Sequence, residues 1–354
     1  MPTKRATTPV PPDDRKATIF DVARAAGVSK TTVSRVLTGS TNVSSRTRTR
    51  VLDAVDRMDY RVNVAARSLR TARSSLVGLL VPAISNDVFG RIAEVLEEEL
   101  RREGTGVTIM SSGWSPEGEA LALQMLRSRG LDAVVASLVN DRGGAVGDAL
   151  RSLGVPVILL DREVRGVGTD VVFTDQRSGV QAAVQHLAEL GHRSIGLATL
   201  TPSVRPGREA TAAFAESVSA LGLPSLESVV VRYADVAAQA GWSAAERLVE
   251  QGATAILCCV PNSVTAGVLE FLRARGLAVP RDVSLIAFDE SELASVKPPR
   301  LTVISRPLEE IARHAGRMVT TRLATPDLPP RVAIVQMTLH VQDSTSPPRA
   351  SKSK

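Results

Sequence analysis

From residue 17 the apolar positions keep a three- and four-residue rhythm. In "TIFDVARAAGVSKTTVSRVLTGS", Ile19, Val22, Ala23 and Ala26 share one helical face, and Val33, Val36 and Leu37 share another. Thr18 followed three residues later by Asp21 forms a capping box, with Asp in place of the longer Glu or Gln. Gly27 ends the first helix and Ser29 caps the second. A third helix is predicted to start near Ser44 or Ser45 and to bury Val51, Val55 and Met58. Two short helices joined by a tight Gly turn, with a third across them, make a compact unit of the helix-turn-helix kind.

Beyond residue 75 the rhythm changes. Runs rich in Val, Ile and Leu recur with helical segments between them: "LVGLLVPA", "GVTIMSS", "DAVVASLV", "VPVILLD", "SIGLATL", "SVVVRY", "AILCCV" and "DVSLIAF". Runs apolar on both faces predict parallel strands in an open α/β sheet, and the length suits two such sheets. Ligands of open sheets bind beyond the strand C-termini, so a ligand site is expected in a cleft between two subdomains.

Charge adds a function class to this outline. Residues 1–75 hold 15 Lys/Arg against 6 Asp/Glu, a net of +9, while the remainder holds 28 against 31. A local basic segment on a mildly acidic body points to a polyanion partner, whose displaced counterions make binding salt-sensitive. Residues 1–16, basic and Pro/Thr-rich, read as a disordered tail. The second helix keeps Lys30, Thr31, Thr32, Ser34 and Arg35 outside its apolar stripe, a polar tip suited to a DNA major groove. Arg35 can donate two hydrogen bonds to guanine O6 and N7, and Lys30 and Thr31 stand near the helix start, where base edges are reached. Ser29, Thr32 and Ser34 are short donors suited to phosphate oxygens.

Other chemistries find little support. Cys258 and Cys259 are adjacent in a strand and point to opposite faces, as buried inert thiols do, and the histidines at 186, 192, 314 and 340 lack metal spacing. His192, in "LGHRS", reads as a structural residue that closes a helix end and turns the chain. No Walker A, HExxH, GxSxG or complete GxGxxG stands in the sequence, so neither a cofactor nor an enzymatic activity is expected. No uncharged apolar run is long enough for a bilayer and the start has no apolar h-region; the expected location is the cytoplasm, without a membrane partner.

After Tyr60, "RVNVAARSLRTARSSLVGLLVP" resembles the hinge and first core strand of the LacI/GalR family of bacterial transcription regulators. The resemblance runs from Ala17 to Asp343 and is carried by "TIFDVARAAGVSKTTVSRVL", "VSSRTRTRVLDAV", "AARSLRT" before "VGLLVP", "ELGHRSIG" and "VPRDVSLIAFDES". It implies a small all-α helix-turn-helix domain over 17–61, a hinge helix and linker over 62–75, and a core over 76–343. That core would be two open parallel-sheet subdomains of the periplasmic-binding-protein-like type I, binding an effector and forming the dimer, with a disordered tail over 344–354. The implied function is a regulator, a repressor by this resemblance, that binds a double-stranded DNA operator under control of a small-molecule effector, a sugar or related metabolite.

The resemblance also assigns residues. Thr18, Ser29, Lys30, Thr31, Thr32, Ser34, Arg35 and Asn42 become DNA contacts, joined by Asn63, Ala66 and Leu69 of a hinge that folds on DNA. Leu69 becomes the minor-groove wedge, which unstacks a base step at a cost of a few kcal/mol and gains a bent site touching more protein. Paired wedges and a near-palindromic operator require two chains, and no leucine heptads follow the core, so a homodimer is expected. Val88, Phe89, Asp161, Arg162, Asp175, Arg208, Asn262 and Asp289 fall at effector-site positions. Phe89, Trp114 and Phe173 are the aromatic residues available for stacking on a sugar, against core packing for the phenylalanines.

Several positions depart from the family pattern. Val62 replaces a proline, which predicts a looser hinge. Ala210 stands where an effector-site arginine is common, Pro261-Asn262 replaces an Asn-Asp pair, and Val236 replaces an aromatic residue. These changes keep open a regulator whose cleft answers to a protein partner or to no ligand; the alternative from another class, an enzyme targeted to DNA by its N-terminal unit, has no catalytic motif behind it.

Overall fold

The computed structural model describes residues 17–37, 42–60, 73–232, 235–289 and 299–349, and the chain divides into two compact units on either side of the Ser74–Ser75 bond. The first contains α1 (Ile19–Ala26), α2 (Lys30–Leu37) and α3 (Ser45–Arg57). The capping box at Thr18 is formed: its amide donates to Asp21 Oδ2 at 3.0 Å, and the Asp21 amide donates to Thr18 Oγ1 at 3.4 Å. Gly27 ends α1 at φ 62°, the left-handed region in which a side chain is strained. Arg50 reaches from α3 to donate to the carbonyls of Ala26 and Gly27, satisfying helix-end acceptors left without intrahelical partners. Ser29 accepts from the Thr32 amide at 3.1 Å, and Ser44 caps α3 through the Thr47 amide.

The apolar faces of α1, α2 and α3 meet in a core of Val22, Ala23, Ala26, Val33, Val36, Val51 and Ala54, with Ile19, Leu37, Val55 and Met58 half-buried around it. Ala54 was not foreseen in that core, although it lies three residues after Val51 on the same face. The hinge positions Val62, Asn63, Ala66 and Leu69 lie outside the described residues.

The second unit is built of two lobes. In the N-terminal lobe the six-stranded sheet runs β11-β5-β4-β3-β1-β2, from β1 (Leu76–Val81), β2 (Gly106–Ser111), β3 (Ala133–Ala136), β4 (Val157–Leu160), β5 (Asp170–Thr174) and β11 (Val332–Val335), all paired in parallel. Helices α4 (Asp87–Arg101) and α11 (Leu308–Ala324) cover one face, and α5 (Pro116–Ser128) and α6 (Gly144–Ser152) cover the other. In the C-terminal lobe the order is β12-β10-β9-β8-β6-β7, from β6 (Ile195–Leu200), β7 (Val229–Val231), β8 (Ala255–Cys259), β9 (Ser284–Phe288), β10 (Thr302–Ser305) and the antiparallel edge strand β12 (Thr338–His340). Its covering helices are α7 (Gln176–Glu189) and α8 (Arg205–Ala220) on one side and α9 (Ala238–Glu250) and α10 (Asn262–Ala274) on the other.

The inner strands β1, β3, β4, β6, β8 and β9 are buried on both faces, as their all-apolar runs require, whereas β2 and β7, expected to be buried alike, are edge strands and leave Ile109 and Val230 exposed. Cys258 faces the α9–α10 side and Cys259 the α7–α8 side, and burial pushes the Cys258 thiol up to about 12. The chain crosses between lobes three times: from β5 to α7, from β10 to α11, and from β11 to β12. β5, β10, β11 and β12 were not among the runs expected to be strands. Three of them have four or more residues, but their apolar stretches are short and two lie at sheet edges.

One expectation is corrected. The polar segment after Asp343 is packed as far as Arg349 instead of disordered: Ser344 is fully buried, accepting from the Thr302 amide at 2.7 Å and donating to the Leu285 carbonyl at 2.6 Å. Its residues supply hydrogen bonds that the ends of β9 and β10 would otherwise lack. His192 takes part in the same arrangement. Buried after α7, its Nδ1 meets Thr254 Oγ1 at 2.9 Å and its Nε2 meets Ser284 Oγ and the Ser346 carbonyl at 3.0 Å, so it joins the starts of two strands to the tail.

Candidate nucleic-acid interface and effector cleft

On α2 the apolar stripe fixes which residues face outward. Lys30, Thr31 and Arg35 are exposed, and Thr32 and Ser34 half-buried. Two of the hydroxyls expected to meet phosphates are engaged within the helix: Ser29 Oγ and Thr32 Oγ1 stand 2.9 Å apart in the cap. Thr18 is likewise committed, its hydroxyl donating to Asp21 Oδ2 at 2.6 Å. The Lys30 ammonium lies 4.8 Å from the centre of the Phe20 ring, itself largely exposed, a cation–π contact that holds the lysine at the start of α2. Asn42, also exposed, precedes α3.

In the second unit the strand ends of the two lobes face each other across a cleft. Phe89, Asp161, Arg162, Asn262 and Asp289, five of the eight predicted effector residues, line one inner cavity of about 70 Å³. Asn86, Trp114, Pro261, Asn262 and Asp289 also border a wider space of about 940 Å³ along α10. The remaining three do other things. Val88 is buried in the core beneath α4, Asp175 caps α7 by accepting from the Ser178 amide at 3.1 Å, and Arg208 pairs with Asp141. Of the aromatic candidates, Phe89 and Trp114 reach the cavity, whereas Phe173 packs in the N-terminal lobe beneath the Arg205 guanidinium, 4.0 Å from its ring centre.

Asp161 and Asp289 occupy equivalent places, each directly after a strand, and each adopts a left-handed backbone, at φ 52° and 60°. Such non-glycine conformations are uncommon, and here they turn both carboxylates into the cleft. Asp161 Oδ1 accepts from the Thr174 amide at 2.6 Å and its hydroxyl at 2.8 Å. Between the two carboxylates lies a residue that sequence reading missed. Arg306, in the β10-to-α11 crossover, donates through Nε to Asp289 Oδ1 at 2.7 Å, and its Nη1 stands 3.5 Å from Asp161 Oδ2. The Arg162 side chain, by contrast, turns to the carbonyls of Leu138 and Asp161.

A second set of contacts joins the lobes at the mouth of β3. The Asp141 carboxylate is fully buried and accepts from the Arg205 amide at 2.8 Å and from Arg208 Nη1 at 2.7 Å, both on α8. The Asp141 amide donates to the Ser203 carbonyl, and Val139 and Val204 pack together against Trp114, Leu200 and Val236. Behind this loop Glu119 accepts from the Val139 amide at 2.5 Å. Burial pushes its carboxyl up to about 7, opposed by that hydrogen bond and by the Arg162 charge. A basic residue on α8's first turn, or a lone Asp in "VNDRGG", gives no sequence signal for the Asp141 pairing, because the partners are more than sixty residues apart.

Among the described residues no group of His, Cys, Asp and Glu is arranged to hold a metal ion, and no helix is long and apolar enough to cross a membrane. Residues 18–63 match the family described as bacterial regulatory proteins, lacI family, and residues 184–345 match the periplasmic binding protein-like domain. The chain is 32% identical over 351 residues to an uncharacterized HTH-type transcriptional regulator in the aml 5' region of Streptomyces limosus, covering 96% of this chain and 98% of that one. It is 31% identical over 337 residues to the transcriptional regulator MalR of Streptomyces coelicolor, covering 93% and 96%. Among solved structures, the lac repressor dimer bound to operator and the anti-inducer ONPF shares the fold, with a TM-score of 0.81 at 21% identity over 94% of this chain and all of that one. The regulator CelR in complex with cellobiose matches with a TM-score of 0.69 at 25% identity, over 93% and 99%.

Proposed function

The chain belongs to the LacI family of bacterial regulatory proteins, DNA-binding transcription regulators, and from that premise we propose that it is a cytoplasmic repressor acting as a homodimer on a near-palindromic operator. The observation that carries this reading is α2: a short, capped helix that buries Val33 and Val36 and presents Lys30, Thr31 and Arg35 outward. Those three are the proposed base readers, Ser34 and Asn42 are the proposed backbone contacts, and Thr18, Ser29 and Thr32, whose hydroxyls are engaged in the caps, position the helix through the helix ends they hold. The hinge over 62–75, with Asn63, Ala66 and the Leu69 wedge, completes each half-site. The domains are proposed as 17–61, 62–75 and 76–343.

The effector site of this reading is the interlobe cleft, with Phe89, Asp161, Arg162, Asn262 and Asp289 around the ligand. Two carboxylates at strand ends suit hydroxyl donors, and a related regulator is known with cellobiose, so a sugar or related metabolite is the proposed class. The reading that the cleft answers to no free ligand draws on the inner cavity of about 70 Å³, below the roughly 300–1,000 Å³ of small-molecule sites, whereas the adjoining space of about 940 Å³, which shares Asn262 and Asp289, falls within that range and favours a ligand.

The test is selection on DNA. Purified protein is mixed with sheared DNA from its own source at fixed physiological salt, and bound fragments are recovered and sequenced. A near-palindromic motif supports the operator reading; uniform recovery across sequences, with or without a metabolite panel, removes it.

A further inference from the structure

The group that fills the polar end of the cleft is part of the chain. Arg306 stands one residue beyond β10, where the chain leaves the C-terminal lobe for α11 of the N-terminal lobe. Its side chain is 21% exposed and pairs with carboxylates from both lobes, the Asp289 group at 8% and the Asp161 group at 10% exposure. Nε and Nη2 reach the two oxygens of Asp289 at 2.7 and 2.5 Å, the parallel two-point geometry that makes an arginine–carboxylate pair strong and directional. Both carboxylates are thus served by one cation, and the cavity left beside it is about 70 Å³.

We propose that Arg306 is the tethered occupant of the cleft: its guanidinium holds the place that an effector's polar head takes, and an effector binds by displacing it. This rests on reading the cleft as the effector site. The charge balance sets the ligand chemistry. Removing Arg306 from between Asp161 and Asp289 leaves two nearly buried carboxylates without their counter-charge, which is costly unless the incoming group restores donors to both. The group that fits is compact and rich in hydrogen-bond donors, and an acid is disfavoured because it would meet both carboxylates. Because the tether is an interlobe crossover, displacement acts on the segment that connects β10 to α11. Self-occupancy also lowers the apparent affinity for a free effector by the fraction of time the site is open.

Methylguanidinium chloride, the detached equivalent of the Arg306 head group, tests this on the full-length protein. In Arg306→Ala it is expected to raise the melting temperature at a concentration at least about ten-fold lower than any effect on the native protein, with sodium chloride at equal ionic strength as reference. Adding Asp289→Asn to that variant is expected to abolish the response. In a Trp242→Phe background, which leaves Trp114 at the cleft as the single tryptophan, Arg306→Ala shifts the emission and methylguanidinium restores it. An equal response in native and variant proteins, or a response that survives Asp289→Asn, overturns the proposal. Should Arg306→Ala not fold, refolding it and Arg306→Gln with methylguanidinium present is the same test: recovery of folded protein supports the proposal and no recovery overturns it. Operator selection on the native protein is read separately, so a failed rescue leaves the regulator reading standing, and a failed selection leaves the rescue result standing.

Discussion

Arg35 and Glu119 show how much a single side chain's setting decides. Arg35 is exposed on α2 beyond a fully formed apolar stripe, so its loss leaves the core intact. Arg35→Ala is expected to relax base preference at one position of each half-site by about 1–3 kcal/mol, read from binding to single-base operator variants. Equal weakening on every sequence would make it a phosphate contact. Glu119 titrates instead. Its carboxyl lies near 7 in the folded protein against 4.5 ordinarily, so between those values the unfolded chain has lost a proton that the folded chain keeps. Stability from this group is full below about 4.5 and is lost as pH rises to about 7, by about 1.4 kcal/mol per pH unit. Glu119→Gln cannot titrate, and denaturant unfolding at pH 5, 6 and 7.5 should show it gaining on the native protein by about 2 kcal/mol over that range. Parallel curves would place the titration elsewhere.

Helices α9 and α10 pack with their backbones in contact at two glycines. A Cβ at Gly241 would stand 1.8 Å from the Val264 carbonyl oxygen, and one at Gly267 the same distance from that of Ala238. Backbone meets backbone there, so no side chain can give way. Gly241→Ala must push the helices apart and is expected to cost about 3 kcal/mol or more, seen as a lower melting temperature with the first unit's fold unchanged. A cost near zero would mean the two helices slide easily. The tail is an element of another kind. It has no strand of its own, yet Ser344 closes the ends of β9 and β10, and Arg349 pairs with Asp282 at 2.8 Å.

For the whole molecule the governing fact is that two lobes share one chain in three crossings. Asp141 with Arg205 and Arg208, Val139 with Val204, Phe173 with Arg205, and Arg306 with Asp161 join the two lobes, and the last of these lies in the cleft itself. A ligand that alters the cleft therefore acts directly on what holds the lobes together. The proposed homodimer follows the same logic at this scale: one α2 would read few base pairs, and a two-fold pair would read a near-palindrome. Analytical ultracentrifugation at micromolar protein is expected to give the mass of two chains; a mass of four would require an interface outside the proposed dimer.

The sequence by itself carried the features that depend on near neighbours. The capping box at Thr18 and Asp21, the Gly27 stop, the stripes of α1 to α3 and the both-face burial of β1, β3, β4, β6, β8 and β9 follow from local periodicity and backbone preference, while β2 and β7 were legible as strands but not as sheet edges. Asp161 and Asp289 were assigned to the cleft by the family resemblance, at the ends of runs whose periodicity predicts strands. Val88, Asp175 and Arg208 were nearby in sequence to the cleft but were drawn by packing into a core, a helix cap and an ion pair. What only the tertiary structure decided is which distant groups share a charge or a hydrogen bond. Arg306 is one arginine among many until β10 and the crossover carry it between two aspartates from different lobes. Asp141 and the Ser344 tail are the same case. Electrostatic partnership acts through space over a few ångströms, and nothing in the local pattern of the chain records it.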